Sequence, residues 1–416
     1  MNSQIKKSKI DRLGYLAFTF STIVIGINAL LLIFPAFIVT LVGTESGVDP
    51  FLRGQWAIPI IITNFIILDF GVLYYTKKLP ERIQHAIKNS INFILDFEVS
   101  KKVTIVVIAV LLGSYIALTV DELGISERAQ WPDFKARIEP ILKDFPNSEE
   151  GSIAIRILFV NNFLSYSSQE IFDNVKVIPF IGSIALLVLT YFFTAKITNK
   201  RFAGIIAIIV ILQSDLFRTY DTTATYSYFW AILYLFSLYL MCTKHHLSSV
   251  AYFLSIFSKP LTAAFFPMSM YFLYRTNLEL KKKIQVFIPY VIIIALLSGM
   301  IFVAGVTLAS KDIGFNMNEF WGGFNTISSH LRSDGLIVVF MIPLLFGLFM
   351  TSRRGIPHAD SIQLLIAGTL LASPVLAAFT GFNVNPYRHV MLVVFFAVGI
   401  GMLLSKKNHS TGLNTV

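Results

Sequence analysis

The 416-residue sequence has a single cysteine, Cys242, and only 14% of its residues are charged. One thiol excludes an internal disulfide and any metal site built on cysteines. The seven histidines show no metal-ligand spacing. No P-loop, GxSxG or HExxH motif occurs, so the signatures of common soluble enzymes are missing. No basic stripe interleaved with aromatics points to nucleic acid. No low-complexity segment or fixed-period repeat stands out.

What is present is apolar. Hydrophobic residues make up 55% of the chain and its mean hydropathy is +0.70, more than a soluble protein of this length could bury. Twelve apolar segments follow one another, at 13–42, 55–76, 103–120, 177–195, 202–214, 226–242, 247–257, 261–274, 285–309, 336–350, 362–381 and 389–405. They predict an all-α, polytopic membrane protein with about twelve transmembrane segments. The first segment follows Lys6, Lys7, Lys9 and Arg12 and is too long for a cleaved signal, so it reads as an anchor.

Placing both termini in the cytoplasm of a cell membrane puts 22 of the 34 Lys and Arg inside, and 17 of the 24 Asp and Glu outside. That is the positive-inside pattern, and it makes the net charge of +10 a matter of anchoring loops. Residues 1–100 then form a two-span extension with a cytoplasmic loop, 101–407 a membrane core, and 408–416 a polar cytoplasmic tail. The run from Leu247 to Leu273 is broken at Ser258-Lys259-Pro260. Reading it as two short segments meeting near the outer surface keeps the later basic loops inside. Broken helices are tolerated where they line a cavity, which makes Lys259 a candidate for meeting an anion.

The longest outer loop is 121–176. Phe134, Ile138, Ile141, Leu142 and Phe145 form an amphipathic helical stripe, with Pro132 suited to a first turn and Pro140 dividing the piece. Ser148-Glu149-Glu150 reads as a cap for a second helix over Ile153–Leu164. Both are expected to lie in the outer membrane interface. Ser310–Asp334, with Glu319, Trp321, His330 and Arg332, reads as a further outer loop.

The segment Val103–Asp121 ends in two adjacent carboxylates, Asp121 and Glu122, at the outer surface. Asp215, Arg218 and Asp221 fall in the next outer turn, Lys259 at the helix break, and Arg332 and Arg388 on the same side. Singly, such cations more often snorkel at an interface. Together they suit a carboxylate that takes a proton from a hydroxyl and cations that stabilise a leaving phosphate. Asp69, inside the second segment, is an intramembrane ionisable group to which no role is assigned.

From Val103 to Ser405 the chain resembles the polytopic glycosyltransferases of the C-type fold, among them the protein O-mannosyltransferases and the lipid A aminoarabinose transferases. The resemblance rests on Asp121-Glu122 after a first core span and on NVKVIPFIGSIALLVLTYFF and the span after it. It rests further on the polar turn LFRTYDTTATYSYFW, the Lys-Pro segment SIFSKPLTAAFF and the closing NPYRHVMLVVFF. It implies Asp121 as catalytic base with Glu122 beside it. It also implies that Arg218 and Asp221 line the cavity, that Lys259 and Arg388 contact the donor phosphate, and that the donor is a polyprenyl-phosphate-linked sugar. The acceptor, whether protein, lipid or glycan, is left open, as is a divalent cation (Mg or Mn) held between the two carboxylates and the donor. Lys176 stands where this family often has Arg, and residues 1–100 have no counterpart in it. Two other classes remain: a secondary transporter or lipid flippase coupled through Asp69, and a non-catalytic subunit of a membrane complex.

Overall fold

A computed structural model describes residues 12–41, 48–145, 158–303, 314–381 and 384–406. Every regular element among them is helical. In lipid, a backbone N–H or C=O has no water to bond, and a helix satisfies both within the segment. The principal helices are α1 (Arg12–Ile33), α2 (Ala57–Tyr75), α3 (Glu81–Asp96), α4 (Lys101–Thr119), α5 (Phe159–Phe172), α6 (Val177–Thr198), α7 (Arg201–Leu212), α8 (Asp215–Tyr220), α9 (Phe229–Met241), α10 (Ser248–Ser258), α11 (Phe266–Arg275), α12 (Leu280–Val303), α13 (Met317–Leu331), α14 (Gly335–Arg353), α15 (Ala359–Thr380) and α16 (Val390–Leu403). Among the described residues seven are long and apolar enough to cross a membrane: α1, α2, α4 with its extension to Gly124, α6, α14, α15, and α16 with its lead-in from Pro386. The apolar helices α7 and α9, of 12 and 13 residues, reach only about 18–20 Å.

The core centres on α16. Every residue from Val390 to Val398 is fully buried, and α6, α7, α14 and α15 surround it. The N-terminal α1 packs on α13, α14 and α15. By contrast α2 and α4 show most of their length outward, with Ile61, Ile62, Phe65 and Ile66 on one, and Ile105, Val106, Val110 and Leu118 on the other, all exposed. Such faces suit lipid.

Three elements depart from the sequence reading or refine it. The stretch expected as an outer loop before Asp334 holds α13, a 15-residue helix that buries Gly323, Phe324, Ile327, Ser328 and Leu331. Only glycine fits at its closest approach to α15, since a Cβ on Gly323 would stand 2.6 Å from Pro374 Cα. The stripe expected in the lipid interface instead packs on protein: Phe134 and Ile138 bury against Val175 and Ala224, with Leu142 beside them. The short helices Phe134–Arg137 and Glu139–Asp144 carry it, the second with Pro140 in its first turn. In α5, Phe159, Phe163 and Ile171 do face outward while Asn161, Asn162, Ser165 and Ser168 are buried. Its expected cap at 148–150 lies outside the described residues. The break at Lys259 is present as read: α10 ends at Ser258, Lys259 is extended (φ −156°, ψ 115°), and a 3-10 turn, Pro260–Phe265, leads into α11.

Candidate functional site

The candidate site forms around one connection, the segment Asp221–Tyr228 between α8 and α9, in which every residue is buried. Buried irregular backbone must find partners for its polar groups, and neighbouring elements supply them. Asp221 Oδ2 accepts from Tyr115 Oη of α4 at 2.7 Å, and its carbonyl accepts from Ser183 Oγ of α6 at 2.6 Å. Thr222 Oγ1 donates to Glu122 Oε2 at 3.2 Å. The N–H groups of Ala224 and Thr225 donate to Glu127 at 3.1 and 2.6 Å. Tyr226 Oη donates to Asp133 Oδ2 at 2.9 Å. Ser227 Oγ donates to Asn161 Oδ1 of α5, and Tyr228 Oη to the carbonyls of Leu216 and Phe217 at 3.0 and 2.9 Å.

The carboxylates gather at one end of this segment. Helix α4 passes at Val120 into a 3-10 turn, Val120–Gly124, that carries Asp121 and Glu122. Asp121 is exposed and Glu122 half-buried. Lys176 holds the turn: it is 1% exposed, and its Nζ donates to the Glu122 carbonyl at 2.9 Å and to Gln130 Oε1 at 2.8 Å. Burial lowers the Lys176 pKa, against the pull of Glu127 and Glu122. Burial likewise raises Glu127, while its bonds from Thr225 and Ala224 oppose the shift. Asp221 is 1% exposed, so it is buried in the protein and does not line a cavity as expected. Burial is the main force that lifts its pKa to about 7; the Tyr115 bond opposes it and Glu122 adds to it. Its Oδ1 has no hydrogen-bond partner among the described residues.

The cations gather at the other end. Lys259, 8% exposed, donates to Tyr387 Oη and lies 4.1 Å from the centre of that ring. Arg388 Nε reaches the same hydroxyl at 3.4 Å. The Tyr387 ring lies 4.6 Å from Tyr226 and 6.0 Å from Tyr220, and Trp131 stands 5.3 and 5.1 Å from Tyr220 and Tyr226. Arg137 sits over the Tyr226 ring at 5.9 Å. Burial, with the Arg388 and Arg137 charges, lowers the Lys259 pKa while Tyr387 opposes it; a bound anion would favour the charged ammonium. Asp221 and Tyr226 are five residues apart, so the two ends lie within about 18 Å along the chain at full extension.

The expected residues therefore divide. Asp121, Glu122 and Asp221 come together at one end, and Lys259 and Arg388 at the other. Arg218 is exposed and paired with Asp215, which leaves it at the rim. Arg332 is half-buried; its carbonyl accepts from Trp56 Nε1 at 2.8 Å and its Nε has no hydrogen-bond partner among the described residues. It belongs to the turn whose Asp334 grips the start of α8, accepting from Ser214 Oγ at 2.9 Å and from the Asp215 N–H at 2.7 Å. Asp69 is exposed on α2. The sequence reading missed Tyr115, Glu127, Arg137, Tyr226, Asp334 and Tyr387; only the adjacency of Tyr387 to Arg388 could have signalled one of them. Among the described residues no group of three or more His, Cys, Asp and Glu is placed to hold a metal ion. Against models of protein families, curated proteins and solved structures, the chain matches none.

Proposed function

We propose that the protein is an integral-membrane glycosyltransferase that moves a sugar from a polyprenyl-phosphate donor to an acceptor outside the cytoplasm. In this reading the twelve apolar segments span or enter the cell membrane, both termini are cytoplasmic, and residues 101–407 form a C-type glycosyltransferase core. The observation that carries it is the bipolar site: Asp121, Glu122 and Asp221 at one end of a buried segment, and Lys259 and Arg388 at the other. Transfer needs that polarity. A base must take a proton at the acceptor, and positive charge must meet the departing phosphate.

The reaction is a single inverting displacement. Asp121, exposed at the end of α4, takes the proton of an acceptor hydroxyl. The acceptor oxygen forms a bond to the anomeric carbon as the bond from that carbon to the phosphate oxygen breaks. The electron pair leaves with the polyprenyl phosphate, and Lys259, Arg388 and Arg137 stabilise its charge. Glu122, tied to Thr222, fixes the turn that presents Asp121. The test is Asp121→Asn in proteoliposomes: transfer from the lipid-phosphate donor falls by roughly 10²-fold or more, with the melting temperature unchanged. Full activity in that variant would remove Asp121 as the base.

A further inference from the structure

One element outside this site buries nothing. Helix α3 has 16 residues, none of them buried, yet it is two-faced. Helical spacing puts Ile83, Ala86, Ile87 and Ile94 on one side and Glu81, His85, Lys88 and Asn92 on the other. Ile83, Ile91, Phe93 and Ile94 are exposed. The helix is nevertheless fixed in place. At its start Gln84 Nε2 donates to the Tyr74 carbonyl of α2 at 3.4 Å. At its end Lys200 Nζ donates to the carbonyls of Ile94 at 2.8 Å, Leu95 at 3.0 Å and Leu404 at 3.2 Å. Lys406 pairs with Asp96, and the Arg201 N–H donates to Glu98 at 3.1 Å. These tethers join α3 to the ends of α2 and α16 and to the α6–α7 turn. It therefore lies across one end of the bundle, where membrane-length helices leave the hydrocarbon.

A cavity of about 460 Å³ opens between the end of α2 and the first two turns of α3, lined by Tyr74, Tyr75, Lys77, Glu81, Gln84, His85 and Lys88. Arg354 Nη2 donates to Tyr75 Oη at its edge, at 3.1 Å. Two lysines and one glutamate in its lining leave the cavity one formal positive charge in excess. Residues 76–102 carry six Lys and Arg against three Asp and Glu. Beside the cavity, one face of α2 exposes Leu73, Phe70 and Ile66, an apolar track leading away from the charged end with the exposed Asp69 at its edge.

We propose that α3 is a lipid-docking helix and that this cavity holds the headgroup phosphate of one anionic phospholipid. Lys77 and Lys88 bind the phosphate, the acyl chains run along the exposed face of α2, and the apolar face of α3 lies in the interface. Charge and shape together select the ligand: one excess positive charge matches a phosphodiester monoanion, and the apolar track matches acyl chains. The site is independent of the proposed transfer chemistry.

Native mass spectrometry and thermal melts of the full-length protein in detergent test it. The probes are phosphatidylglycerol, phosphatidylcholine and inorganic phosphate. Phosphatidylglycerol is expected to remain as one discrete adduct and to raise the melting temperature, while the other two do neither. Lys77→Gln with Lys88→Gln is expected to weaken phosphatidylglycerol retention at least tenfold, with the lipid-free melt unchanged because both side chains are exposed. Ile83→Ser with Ile94→Ser should weaken it without a change in charge. Equal retention of phosphatidylcholine, an equal shift with inorganic phosphate alone, or wild-type retention in the double lysine variant would each overturn the proposal.

Discussion

At the residue scale, Asp221 separates what a carboxylate needs for chemistry from what a fold asks of it. Asp121 is exposed, as the proposed base has to be, whereas Asp221 is sealed under the same turn with Tyr115 as its donor. Raised from 3.8 to about 7, Asp221 carries up to about 4 kcal/mol of pH-dependent stability. The raised pKa sets the sign. The folded state holds the proton at pH values where the unfolded chain has lost it, so this contribution is complete below about pH 4 and is lost as pH rises through about 7. Asp221→Asn stays neutral and keeps an oxygen for Tyr115. Melts of the two proteins should diverge in favour of the variant from about pH 4 to about pH 7 and run parallel above it. A constant difference across that range contradicts the assignment. None of this was legible in the sequence, where Asp221 is one polar residue in a polar turn. Its burial depends on Tyr115 and Ser183, which stand 106 and 38 positions away.

At the scale of elements, legibility followed hydropathy. The break at Ser258-Lys259-Pro260 could be read because proline ends a helix and an apolar run makes the interruption plain. Helix α13 could not be read that way: MNEFWGGFNTISSHL mixes glycines, asparagines and a histidine with its apolar residues, too polar for a span, and its burial comes from α15 and α1. The stripe from Phe134 to Leu142 was visible as an amphipathic helix, but periodicity does not name its partner, which proved to be Val175 and Ala224 in place of lipid. Helix α8 shows the same dependence. Six residues cannot hold a helix alone: Ser214 caps it by accepting from the Phe217 N–H, and Asp334, 120 positions beyond Ser214, accepts from Ser214 Oγ and from the N–H groups of Asp215 and Leu216. Asp334→Ala should cost about 1–2 kcal/mol, as loss of a helix cap does, read as a lower melting temperature. Because α8 leads directly into the segment at 221–228, transfer activity should fall more than in Arg218→Gln, whose side chain is exposed at the rim. Equal activity in the two variants would show that α8 does not position the site.

For the whole molecule, the membrane-embedded helical character was plain from the apolar runs, and the described residues hold seven helices able to cross. In the proposed orientation, which follows the positive-inside bias, the candidate site faces away from the cytoplasm. The proposed donor is lipid-linked because, in that orientation, it reaches the site without a nucleotide sugar crossing the membrane. That account stands or falls on the donor. The most direct measurement follows free polyprenyl phosphate released by purified protein in proteoliposomes supplied with polyprenyl-phosphate-linked hexoses, pentoses and aminosugars and a membrane extract as acceptor source. The expected result is release from at least one donor, in step with transfer of its sugar with inverted anomeric configuration, and no transfer from the matching nucleotide sugar. No release from any of these donors, together with ion-coupled solute uptake by the same vesicles, would contradict it.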